Sequence, residues 1–561
     1  MNDNITATEL FDRIAQTARQ ADTSQAAKTL HDVLVLACTH GLRGSHHAFG
    51  SLMAQVDRLC RDRHLRAADQ VAIHKMRRDS NRTAEPLHPD DVAADCRALA
   101  LFVSAVFGEG IPHALTSLLP HGTNTPQQAT EAYWPSIRCV IQAFDNDTLT
   151  VTVDNDLTPL PLVINYTNTP SYRDFTYLRR IFREGMQLNL IRCTVKEGTA
   201  TPQMIVVEPD FLIDISTLAA CFKDYGHHAL NYLVRRMMPS ANSQAILLGN
   251  FAGDVLDAII NSKQFDFNET LRTHFCQKAL EYATCTDTNL PALKQAMNLQ
   301  VENIKGMVDE LFQQFNREKA ILEPSFVCEQ LGVQGRVDLM TSDLRLLVEQ
   351  KSGKNIFIER DFNNEHGGRH IESHYVQVLL YYAVLQQNFG RQNDTRIHLM
   401  YSKYERERGL LEMKPLQALV EEAIKLRNQV VATEFFIARH GFDTLLPSLT
   451  PETIVTQNHD SYIVSHYDLP RLRDLTEPLH HLAPVAHAYF CRMMTFVIKE
   501  QLVQKVGAQE GNGNSDADLW NMPLSSKREA GNIYTDLRII EKRRSHAHSG
   551  IDTLVLEVPE Q

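Results

Sequence analysis

Long apolar runs are missing from this 561-residue chain. None approaches the ~18 to 20 residues that span a bilayer, so no membrane partner is expected. The opening residues, Met1-Asn-Asp-Asn-Ile5, lack the basic start and apolar stretch of a secretory signal. The ten cysteines are scattered without paired spacing, which excludes a disulfide framework and points to reduced thiols in a cytoplasm. The histidines at 227–228, 480–481, 546 and 548 show no structural-zinc spacing. No Gly-x-x-x-x-Gly-Lys-Ser/Thr occurs, so there is no phosphate-cradling loop and no motor in these residues. Positive charge is also short. The net charge of −12 means that any polyanion would have to be met locally. Basic clusters are present at Arg179-Arg180 with Arg183, at Arg235-Arg236 and at Lys542-Arg543-Arg544. Each is a candidate phosphate contact or, more commonly, a solvated face or helix-end interaction.

What the chain does have is concentrated between residues 332 and 390. Gly335 to Met340 reads as a strand with Val337 and Leu339 on one face and Asp338 on the other. Thr341-Ser-Asp343 is turn-rich, and Leu344 to Gln350 reads as a second, mostly apolar strand. A hairpin would bring Asp338 and Glu349 together, with Glu349 and Lys351 on one side. Two carboxylates there offer hard oxygen ligands to Mg²⁺ or Mn²⁺. Such an ion activates water and neutralises phosphate oxygens, and a nearby ammonium stabilises charge developing in the transition state. The spacing therefore suits metal-dependent phosphodiester cleavage. A solvated charged hairpin is the alternative. Next comes His374-Tyr-Val-Gln377-Val-Leu-Leu-Tyr381, which reads as a helix with Gln377 and Tyr381 on one face and His374 one turn earlier.

In that order, Gly-Arg-Val-Asp338, Glu349-Gln-Lys351 and Gln377-x-x-x-Tyr381 resemble the RecB-like branch of the PD-(D/E)XK nucleases. The resemblance implies that Asp338 and Glu349 bind the metal, with the Gln350 backbone carbonyl as a third ligand. It makes Lys351 catalytic and assigns Gln377, Tyr381 and His374 to positioning DNA. Glu323, just before the core, is a weaker candidate for a ligand or base orienter. Glu208 to Cys221, Leu247 to Asp254, Arg427-Asn428 and Asp518 to Gly531 resemble segments flanking the core in the flap-trimming, end-resecting nuclease–helicases.

Three departures from that pattern stand out. The position of the family's metal-binding His is Gly253, with Asp254 beside it as a candidate substitute ligand or a helix-surface carboxylate. The subfamily's iron–sulfur cluster needs three cysteines after the core, and the only cysteine after Cys328 is Cys491. No iron–sulfur cluster is therefore expected, and Cys221 reads as a small buried residue. The motor is the third missing part. Leu554 to Gln561 reads as one strand of an unfinished barrel, so a helicase motor is expected in cis beyond residue 561 or in trans.

The expected fold class is multi-domain α/β. A PD-(D/E)XK core with a mixed sheet flanked by helices is preceded by an all-α domain and a small OB-like β-barrel. Residues 1–125 read as helices resembling the HEPN-like domains of restriction motor subunits. Their Ile73-to-Glu85 stretch is followed by His88-Pro-Asp-Asp. Arg82 and His88 loosely fit an RNA-cleaving Arg-x(4–6)-His spacing, and a non-catalytic interaction domain is the favoured reading. Residues 134–207 alternate like barrel strands, with Tyr166, Tyr172 and Phe175 as candidate base-stacking or core aromatics. Residues 208–505 form the nuclease domain with helical insertions, and 516–561 begin a C-terminal barrel or linker. The expected activity is metal-dependent cleavage of single-stranded or flapped DNA. The alternative is a catalytically weak DNA-binding or assembly platform.

Overall fold

The computed structural model describes residues 5–20, 23–43, 51–81, 87–122, 131–154, 160–167, 169, 175–239, 242–262, 264–359, 370–390, 394–507, 515–531, 533–544 and 551–558. The fold is mixed helix and sheet in several domains.

The first domain is helical because its helix starts are chemically marked. Helix α1 (Ala7–Arg19) opens with a capping box in which Thr6 and Glu9 satisfy each other's backbone N–H groups. It is followed by α2 (Thr23–Gly41), α3 (Leu52–Asp62), α4 (Ala67–Asn81) and α5 (Pro89–Phe107). In α5, His88 is the N-cap, Pro89 fills the first turn, and Asp90 and Asp91 face the positive end of the helix dipole. Leu10, Ile14, Leu30, Leu34, Leu99 and Phe102 close a shared core.

Strands β1 (Glu131–Phe144), β2 (Thr148–Val153), β3 (Leu162–Asn165), β4 (Gln187–Lys196) and β5 (Thr199–Thr201) run in the order β1-β2-β3-β5-β4. A β1–β4 ladder closes them into a barrel, and β3 with β5 is its parallel pair. The strand alternation places Cys139, Ile141, Leu149, Val151, Ile164, Leu188 and Leu190 inside. At the β1–β2 turn, the Asp145 carboxylate accepts from the N–H groups of Asp147 and Thr148 at 2.8 and 2.7 Å. Tyr166 is fully buried and donates its hydroxyl to the Asp145 carbonyl at 2.6 Å. Phe175 also lines this core. Neither ring is presented to a base, and Tyr172 lies outside the described residues.

Strand β6 (Met204–Val207) continues from the barrel edge into β7 (Ile213–Asp214) and the small hairpin β8 (Phe222–Lys223) with β9 (Gly226–His227). The next strands are β10 (Ala320–Leu322), β11 (Ser325–Cys328), β12 (Val333–Arg336), β13 (Leu339–Thr341), β14 (Leu346–Lys351), β15 (Arg396–Tyr401) and β16 (Leu410–Met413). Five strands run in the order β10-β13-β14-β15-β16, and β11-β12-β7 form a second, short sheet. The parallel β14–β15 pair requires a crossover, which the helix Glu372–Phe389 supplies. Helices cover both faces. On one side, α6 (Gln244–Asn261) and α7 (Leu290–Gln314) pack Phe251, Val255, Ile304 and Val308 on Leu339, Leu346 and Val348. On the other, α8 (Glu372–Phe389) and α9 (Gln417–His440) pack Val376, Leu380, Ile424 and Val430 against Leu347, Ile397 and Leu399.

Two strand expectations need correction. Gly335 to Met340 is not one strand. It breaks at Val337-Asp338 into β12 and β13, opposite Glu323-Pro324 on the partner strand. Pro324 has no N–H to give the ladder, and Glu323 takes a left-handed φ of 49°, so the hairpin bends there as at a bulge. The second strand starts at Leu346 rather than Leu344, because Leu344 has φ 59° and its N–H closes the turn onto the Thr341 carbonyl.

The barrel and the α/β core are tied by Arg427 on α9. Its fully buried guanidinium donates to the carbonyls of Val207, Glu208 (2.8 Å), Phe211 (2.7 Å) and Gly332 (3.2 Å). Gly332 has φ 64°, and a Cβ there would collide with this guanidinium. Beside it, Asn428 accepts from the Val207 N–H and donates to the Ile205 carbonyl. Residues 518–521 dock on the same junction, where Trp520 Nε1 and Asn521 Nδ2 donate to Asp210 at 2.8 and 2.9 Å. The helix α10 (Pro484–Val506) packs on α9. The last strands, β17 (Arg538–Arg544) and β18 (Ile551–Glu557), pair antiparallel. Among the described residues, no helix is long and apolar enough to cross a membrane. Replacing Arg427 by Met would strand four buried carbonyls, at a cost of roughly 3–5 kcal/mol. The expected outcome is a large fall in the denaturant midpoint, whereas the exposed Arg345→Met changes it little.

Candidate active site

The site is built at the carboxyl end of β14, where open α/β sheets place their ligands. Alternation along β14 sends Leu346, Val348 and Gln350 toward α6 and α7. Leu347, Glu349 and Lys351 point toward α8. The β13 ladder pairs only as far as Val348. The N–H of Gln350 therefore has no strand partner on that side and donates to Asp338 Oδ2 at 2.6 Å. The Lys351 carbonyl accepts from Ser402 N on the β15 side, so the alternating Gln350 carbonyl points to the edge where Asp338 sits.

Glu349 is 3 % exposed. Its Oε1 accepts from Lys351 Nζ at 2.8 Å and from Gln377 Nε2 at 2.7 Å, while Gln377 Oε1 accepts from Lys351 Nζ at 2.9 Å. This closed triangle joins β14 to α8. Glu349 Oε2 is buried with no hydrogen-bond partner. Burial, and then the charge of Asp338, push the Glu349 carboxyl up to about 8. Asp338 is also raised, first by burial, against the lowering effects of the Gln350 N–H and Lys351. Two acids held this close and this dry favour one shared cation over two free carboxylates.

The remaining sequence candidates are placed as follows. Tyr381 packs on Gly335, where a Cβ would approach its ring to 2.8 Å, and donates its hydroxyl to the Arg336 carbonyl at 2.7 Å. It braces the strand that leads to Asp338. His374 lies within 3.1 Å of the Tyr401 hydroxyl, and burial, then the charge of Lys351, lower it to about 3. It is neutral and offers no cation to a phosphate. Glu323 sits at the bend beside Asp338, donates its N–H to the Asp338 carbonyl and pairs with Arg336 at 3.1 Å. Asp254 has its Oδ2 2.5 Å from Nδ1 of the fully buried His274, whose Nε2 meets the Tyr282 hydroxyl at 2.9 Å.

Another acid, Asp257, lies one turn beyond Gly253 on α6. Burial, then the charges of Glu323, Asp254 and Asp338, raise it to about 7.

Several other candidates serve structure. Arg183 pairs with Glu208 at 2.8 Å, and Arg236 with Glu434 at 2.8 Å, each acid being buried. Their phosphate-contact reading is replaced by these internal pairs. Cys221 is buried with Sγ 3.3 Å from the Thr217 carbonyl. His88 caps α5, and Arg82 lies outside the described residues.

The donor set suits a hard divalent ion. It comprises the orphaned Glu349 Oε2, the Asp338 carboxylate and the Gln350 carbonyl. Among the described residues, no three His, Cys, Asp or Glu side chains close on one another as a ready-made ion cage. Backbone and water oxygens would complete the shell. No family model matches the chain, and no curated protein matches it.

A raised carboxyl is worth most to the fold when protonated. The contribution of Glu349 is fully present below its ordinary value of 4.5 and is lost as pH rises through about 8. In chelator, Glu349→Gln should therefore melt with the parent near pH 5. At pH 8.5 it should melt higher by roughly 3–6 °C, the change that about 1–2 kcal/mol produces. Differential scanning calorimetry at the two pH values measures this.

Proposed function

We propose that the chain is a metal-dependent deoxyribonuclease of the RecB-like PD-(D/E)XK type. It cleaves phosphodiester bonds in single-stranded or flapped DNA. The observation that carries this reading is the buried Glu349 with one oxygen bound by Lys351 and Gln377 and the other left without a partner beside Asp338. A buried acceptor without a partner costs about 1–3 kcal/mol, which a bound cation would recover.

Asp338 and Glu349 would hold Mg²⁺ or Mn²⁺, with the Gln350 carbonyl at the same edge. When bound, the ion supplies an activated water and charge neutralisation at the phosphate. Lys351 uses two of its three N–H donors on Glu349 and Gln377. The third is left to orient the attacking water or to meet charge building on a phosphate oxygen. Gln377 fixes the ammonium, and Tyr381 fixes the strand that carries Asp338. The closed barrel supports a nucleic-acid substrate, because its strand order is that of oligonucleotide-binding barrels. A motor in trans or in a longer chain would feed such a site.

The platform reading has one observation in its favour. Gly253 brings no side chain to the site, and a Cβ there would meet nothing within 4 Å.

Cleavage of labelled single-stranded and flapped DNA by the purified chain with Mn²⁺ or Mg²⁺ tests the proposal. Asp338→Ala and Lys351→Ala are each expected to lower the rate on the order of 10²–10³-fold, with circular dichroism and DNA binding unchanged. A wild-type chain that binds DNA and cleaves none of these substrates with either ion overturns the nuclease reading and leaves the platform.

A further inference from the structure

The helical domain and the barrel leave a cavity of about 270 Å³ between them. That is close to the lower end of the roughly 300–1,000 Å³ range of small-ligand sites, which favour domain junctions. Gln70, Val71, His74 and Arg78 line it from α4, and their three- and four-residue spacing puts them on one face. Arg61 comes from α3, and Gln142, Thr152 and Val153 come from β1 and β2. Leu160 and Pro161 complete an apolar side with Val71 and Val153. Among the described residues, no Asp or Glu lines the cavity.

The acids stand outside its wall and hold the arginines in place. Asp57 Oδ2 accepts from Arg61 Nε at 3.1 Å, and the Gln142 carbonyl accepts from Arg61 Nη1 at 3.0 Å. Arg78 Nη1 lies 3.5 Å from Asp154 Oδ1, which also takes Arg77. Polar groups at a domain junction are common, so composition alone says little. The further pointers are two wall residues whose hydrogen bonding is incomplete. Arg61 Nη2 and His74 Nδ1 are buried without a partner among the described residues, and His74 is only 5 % exposed. Buried groups of this kind are ordinarily satisfied.

Two guanidiniums from different helices suit an anion with oxygens in several directions, as a phosphate has. The apolar side suits a flat organic body. Gln70 and Gln142 give amide N–H groups to Leu65, Asp57 and Thr152. Their side-chain oxygens can accept from the amino group of a base. We propose that this cavity binds a nucleoside monophosphate with an amino-bearing base. Its phosphate meets Arg61 and Arg78, and its body lies against Val71, Val153, Leu160 and Pro161. The assignment is independent of the nuclease reading, since it uses none of the residues around Asp338 and Glu349.

Titration calorimetry on the full chain tests this with adenosine 5′-monophosphate, adenosine and inorganic phosphate. Chelator in the buffer keeps the Asp338–Glu349 site without an ion, and melting without ligand reports folding. The monophosphate is expected to bind at least about 10-fold more tightly than adenosine, the least that a charged hydrogen bond contributes. Arg78→Gln is expected to weaken the monophosphate by roughly 10- to 100-fold. Val71→Phe fills the apolar side and leaves the guanidiniums, so it is expected to lose the monophosphate and keep inorganic phosphate. It decides alone if Arg78→Gln fails to fold. A wild type that binds no monophosphate, or binds only inorganic phosphate, overturns the assignment. So does wild-type affinity in folded Val71→Phe. Each of these outcomes leaves the nuclease reading untouched.

Discussion

The burial of two carboxylates at the end of one strand is the constraint from which the rest of this site follows. Glu349 is almost fully enclosed and Asp338 lies beside it, so each opposes the other's ionisation. The chain offsets part of that opposition with its own donors. Lys351 and Gln377 take one Glu349 oxygen, and the Gln350 N–H takes one Asp338 oxygen. It does not offset the remainder, and Glu349 Oε2 stays without a partner. A fold that spends stability in this way at one place commonly does so for chemistry.

The scaffold around the site is held by buried polar groups that do find partners. Arg427 is buried as deeply as Glu349, yet four carbonyls surround it. Glu434 is buried but paired with Arg236, and Asp210 accepts from Trp520, Asn521 and Arg138. These polar locks join the barrel, the sheet and residues 518–521 into one support. Among these buried acids, Glu349 is the one with an oxygen left without a partner.

The bend at Glu323-Pro324 does the placing. A continuous hairpin would have carried Asp338 along a regular ladder. The missing proline N–H and the left-handed Glu323 instead divide the hairpin between two sheets and set Glu323 and Asp338 side by side. The Gln350 N–H is left over by the same interruption, and Asp338 accepts it.

Much of this was legible in the residues themselves. Alternation in Leu346 to Lys351 put Glu349 and Lys351 on one face. The Gly- and Pro-free run after Glu372 marked the crossover helix that carries Gln377, and the alternating segments from 136 to 195 marked the barrel. These are local periodicities, and local periodicity is what a sequence states directly. Other features depended on contacts between segments far apart in the chain. The sequence read Gly335 to Met340 as one strand, because the break is imposed from across the ladder by Pro324. It offered Arg183 and Arg236 as phosphate contacts or solvated charges, because Glu208 and Glu434 come from distant parts of the chain. The sequence determined which residues share a face, and the tertiary structure decided which charges were left without an internal partner, since pairing depends on distance in space and not along the chain.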